Sequence, residues 1–141
     1  MERDCGLWIN MVAHKLKKNL NARLADLGIT GVQSRILHYV LTHYEEGPVF
    51  QRDVEEVFEL SRSTTTGVLQ LLEKNGMIVR ESVASDARLK SLVPTQKAAE
   101  VDAKVGESIR EMEQRITKGL SAGQVQMFLE LIEQMSRNME S

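Results

Sequence analysis

Apolar residues recur every three or four positions through most of the chain. Interruptions divide it into six helical segments and one short β-prone stretch. Residues 7–27 form the first helical segment, without glycine or proline. Ile9, Val12, Leu16, Leu20, Leu24 and Leu27 make its apolar stripe. Trp8 and Met11 fall off that stripe, so a second surface is needed to cover them. Lys15 and Lys18 point away from the stripe, and Lys17 and Arg23 flank it. Gly28 stops this helix and Thr30 caps the next, its side-chain oxygen satisfying a free amide. Val32, Ile36 and Val40 centre the buried side of that second helix, with Leu37 and Tyr39 at its edges. Glu45-Glu46-Gly47-Pro48 is a turn, and Val49-Phe50 is a candidate edge strand. A third helix is expected from Gln51 to Glu59. Val54, Val57 and Phe58 face inward, Glu55, Glu56 and Glu59 face outward, and Asp53 sits at the boundary.

The fourth helix, Arg62 to Lys74, has two contrasting halves. At about 100° per residue, Thr65, Val68, Leu69, Leu71 and Leu72 share one half, with Thr64 near its edge. Arg62, Ser63, Thr66, Gly67, Gln70, Glu73 and Lys74 occupy the other. The second half is small, hydroxyl-bearing, amide-bearing or charged, so it can enter a groove between phosphate ridges and hydrogen-bond base edges. Ser61 is the expected N-cap. Asn75-Gly76 ends the helix, because left-handed backbone geometry carries no Cβ penalty at glycine. A β-prone run starts at Met77-Ile78-Val79 and ends near Ser82. Ala84-Ser85-Asp86-Ala87-Arg88 is the turn, Leu89 to Val93 the return strand, and Pro94 closes it. Two helices, then a helix and a β-hairpin, is the order of a winged helix-turn-helix, a mainly α (α+β) fold.

From Thr95 to about Gly119 runs a fifth helix, striped by Val101, Val105, Ile109, Met112 and Ile116. Ser121 and Gln124 then form a capping-box pattern, Ser-x-x-Gln. The last helix carries Val125, Phe128, Leu129, Ile132, Met135 and Met139. A winged lobe over 30–95 is too small to bury three further apolar stripes alone. Residues 1–29 and 96–141 are therefore expected to form a helical dimerisation lobe with a second copy of the chain, a homodimer suited to a palindromic site.

The ordered set Leu60-Ser61, Ser63-Thr64-Thr65-Thr66, Leu69-x-x-Leu72-Glu73-Lys74, Gly76, Arg80, Asp86-x-Arg88 and Thr95-x-Lys97 resembles the MarR family of transcriptional regulators. Leu27-Gly28-Ile29-Thr30 followed by Gln33 is similar to that family's second-helix start, and the resemblance runs through nearly the whole chain. It departs at Gly67, where many members carry a side chain reaching DNA, and at Pro94 and Ala98, where Leu and Gly are usual. The resemblance implies a DNA-binding repressor responsive to a ligand. Arg62, Ser63, Thr64, Thr66 and Gln70 would contact double-stranded DNA through the fourth helix. Arg88, oriented by Asp86, would enter the minor groove, and Lys90 would follow the phosphates. Arginine suits a narrow, A·T-rich minor groove, where negative potential is greatest. Members often take small aromatic effectors between the dimer helices and the DNA lobe; Trp8, Met11, His14 and Tyr44 are the candidates here. One branch senses peroxides through a cysteine near the position of Cys5, so an oxidant-responsive regulator is an alternative. A winged-helix protein-interaction module without DNA binding is the other.

Composition agrees with this picture once it is divided. The chain's net charge of −2 combines −2 over residues 1–60, +3 over 61–97 and −3 over 98–141. Positive charge thus concentrates in the segment with the groove-compatible face. With 141 residues, one lobe with helical extensions is expected. No apolar run approaches the ~20 residues needed to cross a bilayer. Met1-Glu2-Arg3-Asp4 lacks the pattern of a signal peptide, and one cysteine suits a reducing compartment, so the expected location is cytoplasmic. His14, His38 and His43 make no metal pattern, and no catalytic constellation stands out; neither metal, cofactor nor enzymatic activity is expected.

Overall fold

A computed structural model describes residues 3–140. Met1 and Glu2, on which the leader-peptide expectation partly rests, lie outside them. The element order is α1 (Cys5–Asp26), α2 (Gly31–His43), α3 (Gln51–Phe58), α4 (Arg62–Lys74), β1 (Ile78–Val83), β2 (Asp86–Pro94), α5 (Gln96–Ile116) and α6 (Ala122–Asn138). This is a mostly helical chain with one two-stranded antiparallel sheet, the winged helix-turn-helix order. No helix among the described residues is long and apolar enough to cross a membrane.

Local chemistry sets the helix ends. The Thr30 hydroxyl accepts from the Gln33 amide at 3.2 Å while the Gln33 side chain accepts from the Thr30 amide at 3.0 Å. Ser121 and Gln124 make the same reciprocal pair at 3.1 and 2.9 Å. Ser61 Oγ accepts from the Thr64 amide at 3.1 Å. Thr95 Oγ1 accepts from the Ala98 amide at 3.2 Å, opening α5. Each satisfies an amide that has no partner inside its helix. Replacing Thr30 by alanine is expected to lower unfolding free energy by about 1 kcal/mol, read as a shift of the urea midpoint at unchanged slope. Gly28 and Gly76, which follow α1 and α4, take φ of 72° and 75°, where a Cβ would be strained.

The chain divides into two compact units, one up to Ile109 and one from Arg110 on. In the first, Leu24, Ile36, Leu37, Val40, Val54, Leu69, Leu72, Ile78, Leu92 and Ala98 are buried in one cluster. That core draws on α1, α2, α3, α4, both strands and α5. Val49 is buried and its carbonyl accepts from the Leu92 amide at 2.7 Å. Val49-Phe50 nevertheless forms no strand: Phe50 is already the N-cap of α3, where the Asp53 carboxylate takes its amide at 2.9 Å. Across α2 and α5, His38 Nδ1 lies 3.1 Å from an Asp102 carboxylate oxygen.

Two apolar residues expected inside are exposed. Val57 and Leu71 retain 53% and 48% of their surface. In α4 the buried centre is Thr65, Leu69 and Leu72; Leu71 stands one residue, about 100°, round the helix from Leu72 and so falls at the edge of the arc. In the short α3 the buried residue is Val54.

In the second unit, α6 has no buried residue. Val125 and Ile132 are half-buried, while Met127, Phe128, Leu129 and Leu131 each stay more than half exposed. Within the first unit, Leu7, Trp8, Ile9 and Val12 at the start of α1 are exposed as well.

Candidate nucleic-acid interface

The hydroxyl face of α4 is open. Ser63, Thr64, Gly67 and Gln70 are exposed and Thr66 is half-buried. Thr65 is the one member of the threonine run inside, where its hydroxyl donates to the Ser61 carbonyl at 2.8 Å. Thr64, near the edge of the apolar half by phase, is exposed, and its hydroxyl accepts from Ser61 Oγ at 2.9 Å. A Cβ added at Gly67 would meet no atom within 4 Å. Gly67→Ala should therefore raise stability by about 0.5–1 kcal/mol through helix propensity, seen as a higher melting temperature.

The hairpin carries the cations. β1 pairs antiparallel with β2 through Val79↔Val93, Glu81↔Ser91 and Ser82↔Lys90, and the register shifts between Ser82 and Val83. The return strand thus begins at Asp86, three residues before the expected Leu89, and the turn shrinks to Ala84-Ser85. Asp86 Oδ1 accepts from the Arg88 backbone amide at 2.9 Å; the Arg88 guanidinium approaches the same carboxylate at 3.4 and 3.5 Å. The Arg88 side chain remains 92% exposed. Lys90 Nζ donates to Ser82 Oγ at 2.6 Å across the strands. Arg80 is held back toward α4 by Glu73, 3.2 Å away.

Between α3, α4 and the hairpin lies an open cleft of about 690 Å³. Gln51, Arg52, Glu55, Arg62, Thr66, Arg80, Arg88 and Lys90 are among its lining residues. Five cations face one carboxylate there, in a concave surface that focuses positive potential. Of the sequence candidates, Arg62, Thr66, Arg88 and Lys90 come together in this cleft. Ser63, Thr64 and Gln70 lie on α4 outside its lining, and Asp86 acts through Arg88. Arg52 and Gln51 are additional cleft residues that no local pattern singles out, and Arg80, a member of the ordered sequence set, joins them.

The remaining candidates lie outside that cleft. Trp8 and His14 are exposed and Met11 half-buried on α1; Tyr44 follows α2, its hydroxyl donating to Glu45 at 3.3 Å. None of the four lines the cleft beside the hairpin or the one between Asn21 and Asn75. Cys5 is a free, exposed thiol on the first residue of α1. Among the described residues, no group of three or more His, Cys, Asp or Glu is placed to hold a metal.

An open polar helix beside a cation-bearing hairpin defines a winged helix-turn-helix protein. The sequence model of the MarR family matches residues 27–89, from the end of α1 into the hairpin. That is a family of DNA-binding transcription regulators, not of enzymes. The Bacillus subtilis (strain 168) HTH-type transcriptional regulator YybA is 28% identical over 93 residues, 66% of this chain and 60% of YybA. This chain thus spans less than two thirds of that relative. Staphylococcus aureus MepR, a transcription regulator of the multidrug efflux pump MepA, has the same fold: TM-score 0.84, 21% identity, covering 97% of this chain and 99% of MepR. MepR in complex with DNA superposes with a TM-score of 0.75 at 21% identity, covering 97% of each chain.

Proposed function

We propose that this protein is a transcriptional regulator that binds double-stranded DNA as a homodimer. Residues 30–95 are the DNA-binding lobe, and residues 1–29 with 96–141 the dimerisation lobe. The observation that carries the reading is the exposed hydroxyl-and-amide side of α4 next to a cleft lined by five cations. Ser63, Thr66 and Gln70 read base edges in the major groove, with Thr64 at the entering end of the helix. Arg62, Arg52 and Lys90 neutralise phosphates, and Arg88 enters the minor groove, aimed by Asp86. MepR, of the same fold, binds DNA, which supports this use of the surface.

The finer reading is a repressor at a palindromic operator, acting in the cytoplasm and released by a small aromatic effector. A two-fold dimer places two α4 helices on successive turns of a duplex, and an effector acts by favouring a spacing that cannot span them. Trp8, Met11, His14 and Tyr44 are proposed to line the effector site once a second copy covers α1. The exposed free thiol of Cys5, on the first residue of α1, favours oxidant-triggered release as a second reading. Cys5→Ser would abolish that release and leave effector release intact.

Selection of duplexes from a random pool, followed by gel retardation, tests the core of the proposal. Recovery of an inverted repeat bound at nanomolar protein is the expected result. No retardation of any duplex at low salt would leave the protein-interaction module as the reading.

A further inference from the structure

Thr66 differs from its hydroxyl-bearing neighbours in its partner. Ser63 lies 3.3 Å and Thr64 2.9 Å from the Ser61 hydroxyl of their own cap, and Thr65 donates to the Ser61 carbonyl. Thr66 alone among them is bonded to another helix: Gln51 Nε2, from the first residue of α3, donates to Thr66 Oγ1 at 2.8 Å. The same amide nitrogen faces the Arg62 carbonyl at 3.5 Å. A backbone carbonyl can only accept, so the amide presents its NH₂ end, and the Thr66 oxygen must act as acceptor toward Gln51. The hydroxyl hydrogen of Thr66 has no acceptor among the described residues. Gln51 also occupies the space beside the Arg62 carbonyl, the i−4 acceptor that Thr66 would otherwise use, as Thr65 uses Ser61.

We propose that Gln51 is a positioning residue for sequence readout. It holds the Thr66 hydroxyl off its own helix, with the hydrogen free to donate into the major groove. The inference rests on the DNA-binding reading above and adds a base preference to it. In the major groove adenine, guanine and thymine each offer an acceptor (N7, O6 or O4), whereas cytosine offers only the N4 donor. With one lone pair taken by Gln51 and its hydrogen unsatisfied, the hydroxyl gains more from a base acceptor than from the cytosine amine, which disfavours cytosine at the base it meets. Removing Gln51 frees the hydroxyl to donate to the Arg62 carbonyl, as Thr65 does to that of Ser61, and so to meet a base as acceptor alone, and the preference against cytosine is lost.

The test is selection from a random duplex pool with the full chain, Gln51→Met, Thr66→Val and the double variant, alongside each protein's affinity for an unselected duplex. The parent chain should deplete cytosine at one position per half-site, by roughly fivefold, as expected for one neutral hydrogen bond. Gln51→Met and Thr66→Val should each relax that same position, and the double variant should go no further. Affinity for the unselected duplex and the melting temperature of Gln51→Met should stay at parental values. An unchanged Gln51→Met motif, a change at a different position from that of Thr66→Val, or an equal loss on every sequence would overturn the role of Gln51. A parent chain that enriches no sequence at all would instead remove the regulator reading, and this inference with it.

Discussion

Phe128→Glu will turn the protein into a monomer and abolish operator binding at concentrations where the parent is saturated. Val125, Phe128, Leu129, Ile132, Met135 and Met139 occupy about one third of the circumference of α6. In the single chain that stripe is open: Phe128 retains 57%, Leu129 51% and Met139 85% of their surface. Met127 and Leu131, on another side of the helix, are 56% and 52% exposed. A contiguous apolar surface of this kind marks an interaction site. A second copy is the proposed occupant. In a two-fold interface each substitution occurs twice, so two carboxylates meet apolar surface at about 2 kcal/mol or more apiece. The dimer dissociation constant should rise roughly a thousandfold. Linked half-site binding adds on the order of 10²- to 10⁴-fold in affinity, and a monomer forfeits it. Sedimentation equilibrium reads the first effect and gel retardation the second. A Phe128→Glu chain that remains dimeric would exclude α6 from the interface.

The parts of this arrangement that sequence makes legible are those with local causes. Ser/Thr-x-x-Gln at Thr30 and Ser121 announces a helix start because both hydrogen bonds close within four residues. The exposed side of α4 follows from its period and from the absence of any large apolar group there. The hairpin boundary is different. Asp86 and Ala87 have weak strand propensity, yet they are drawn into β2 by the register shift opposite Ser82 and Val83. Arg52 and Gln51 sit on a helix whose sequence reads as an acidic outer face around Glu55, Glu56 and Glu59. They join the cleft through the packing of α3 against α4, across the turn in which Glu59 takes a φ of 52°. The Gln51–Thr66 bond spans 15 positions, beyond the reach of any periodicity. Tyr44 is in the same position with respect to Trp8, Met11 and His14: no local rule brings them together, and within one chain neither cleft does.

Replacing Arg88 by alanine will weaken operator binding at least tenfold, about 1.4 kcal/mol, and leave the melting temperature unchanged. With 92% of its side chain in solvent and a 3.4 Å approach to Asp86, Arg88 adds little to folding. Its place near the hairpin tip, in the same cleft as Arg62 and Thr66, gives it a different task. The Asp86 carboxylate takes both the Arg88 amide and its guanidinium, which narrows the rotamers the long side chain must give up on binding. A narrow minor groove has the most negative potential of any part of the duplex surface, so an arginine delivered there is worth more than one left over a phosphate. Asp86→Ala should cost less than Arg88→Ala, since it removes the orientation and keeps the charge. Arg88→Lys should recover the salt dependence and not the full affinity, because an ammonium lacks the planar fork. The slope of log affinity against log salt should fall by about one in the alanine variant. Equal affinities for the parent and Arg88→Ala chains, measured on the selected operator, would confine recognition to α4 and assign the hairpin a purely structural role.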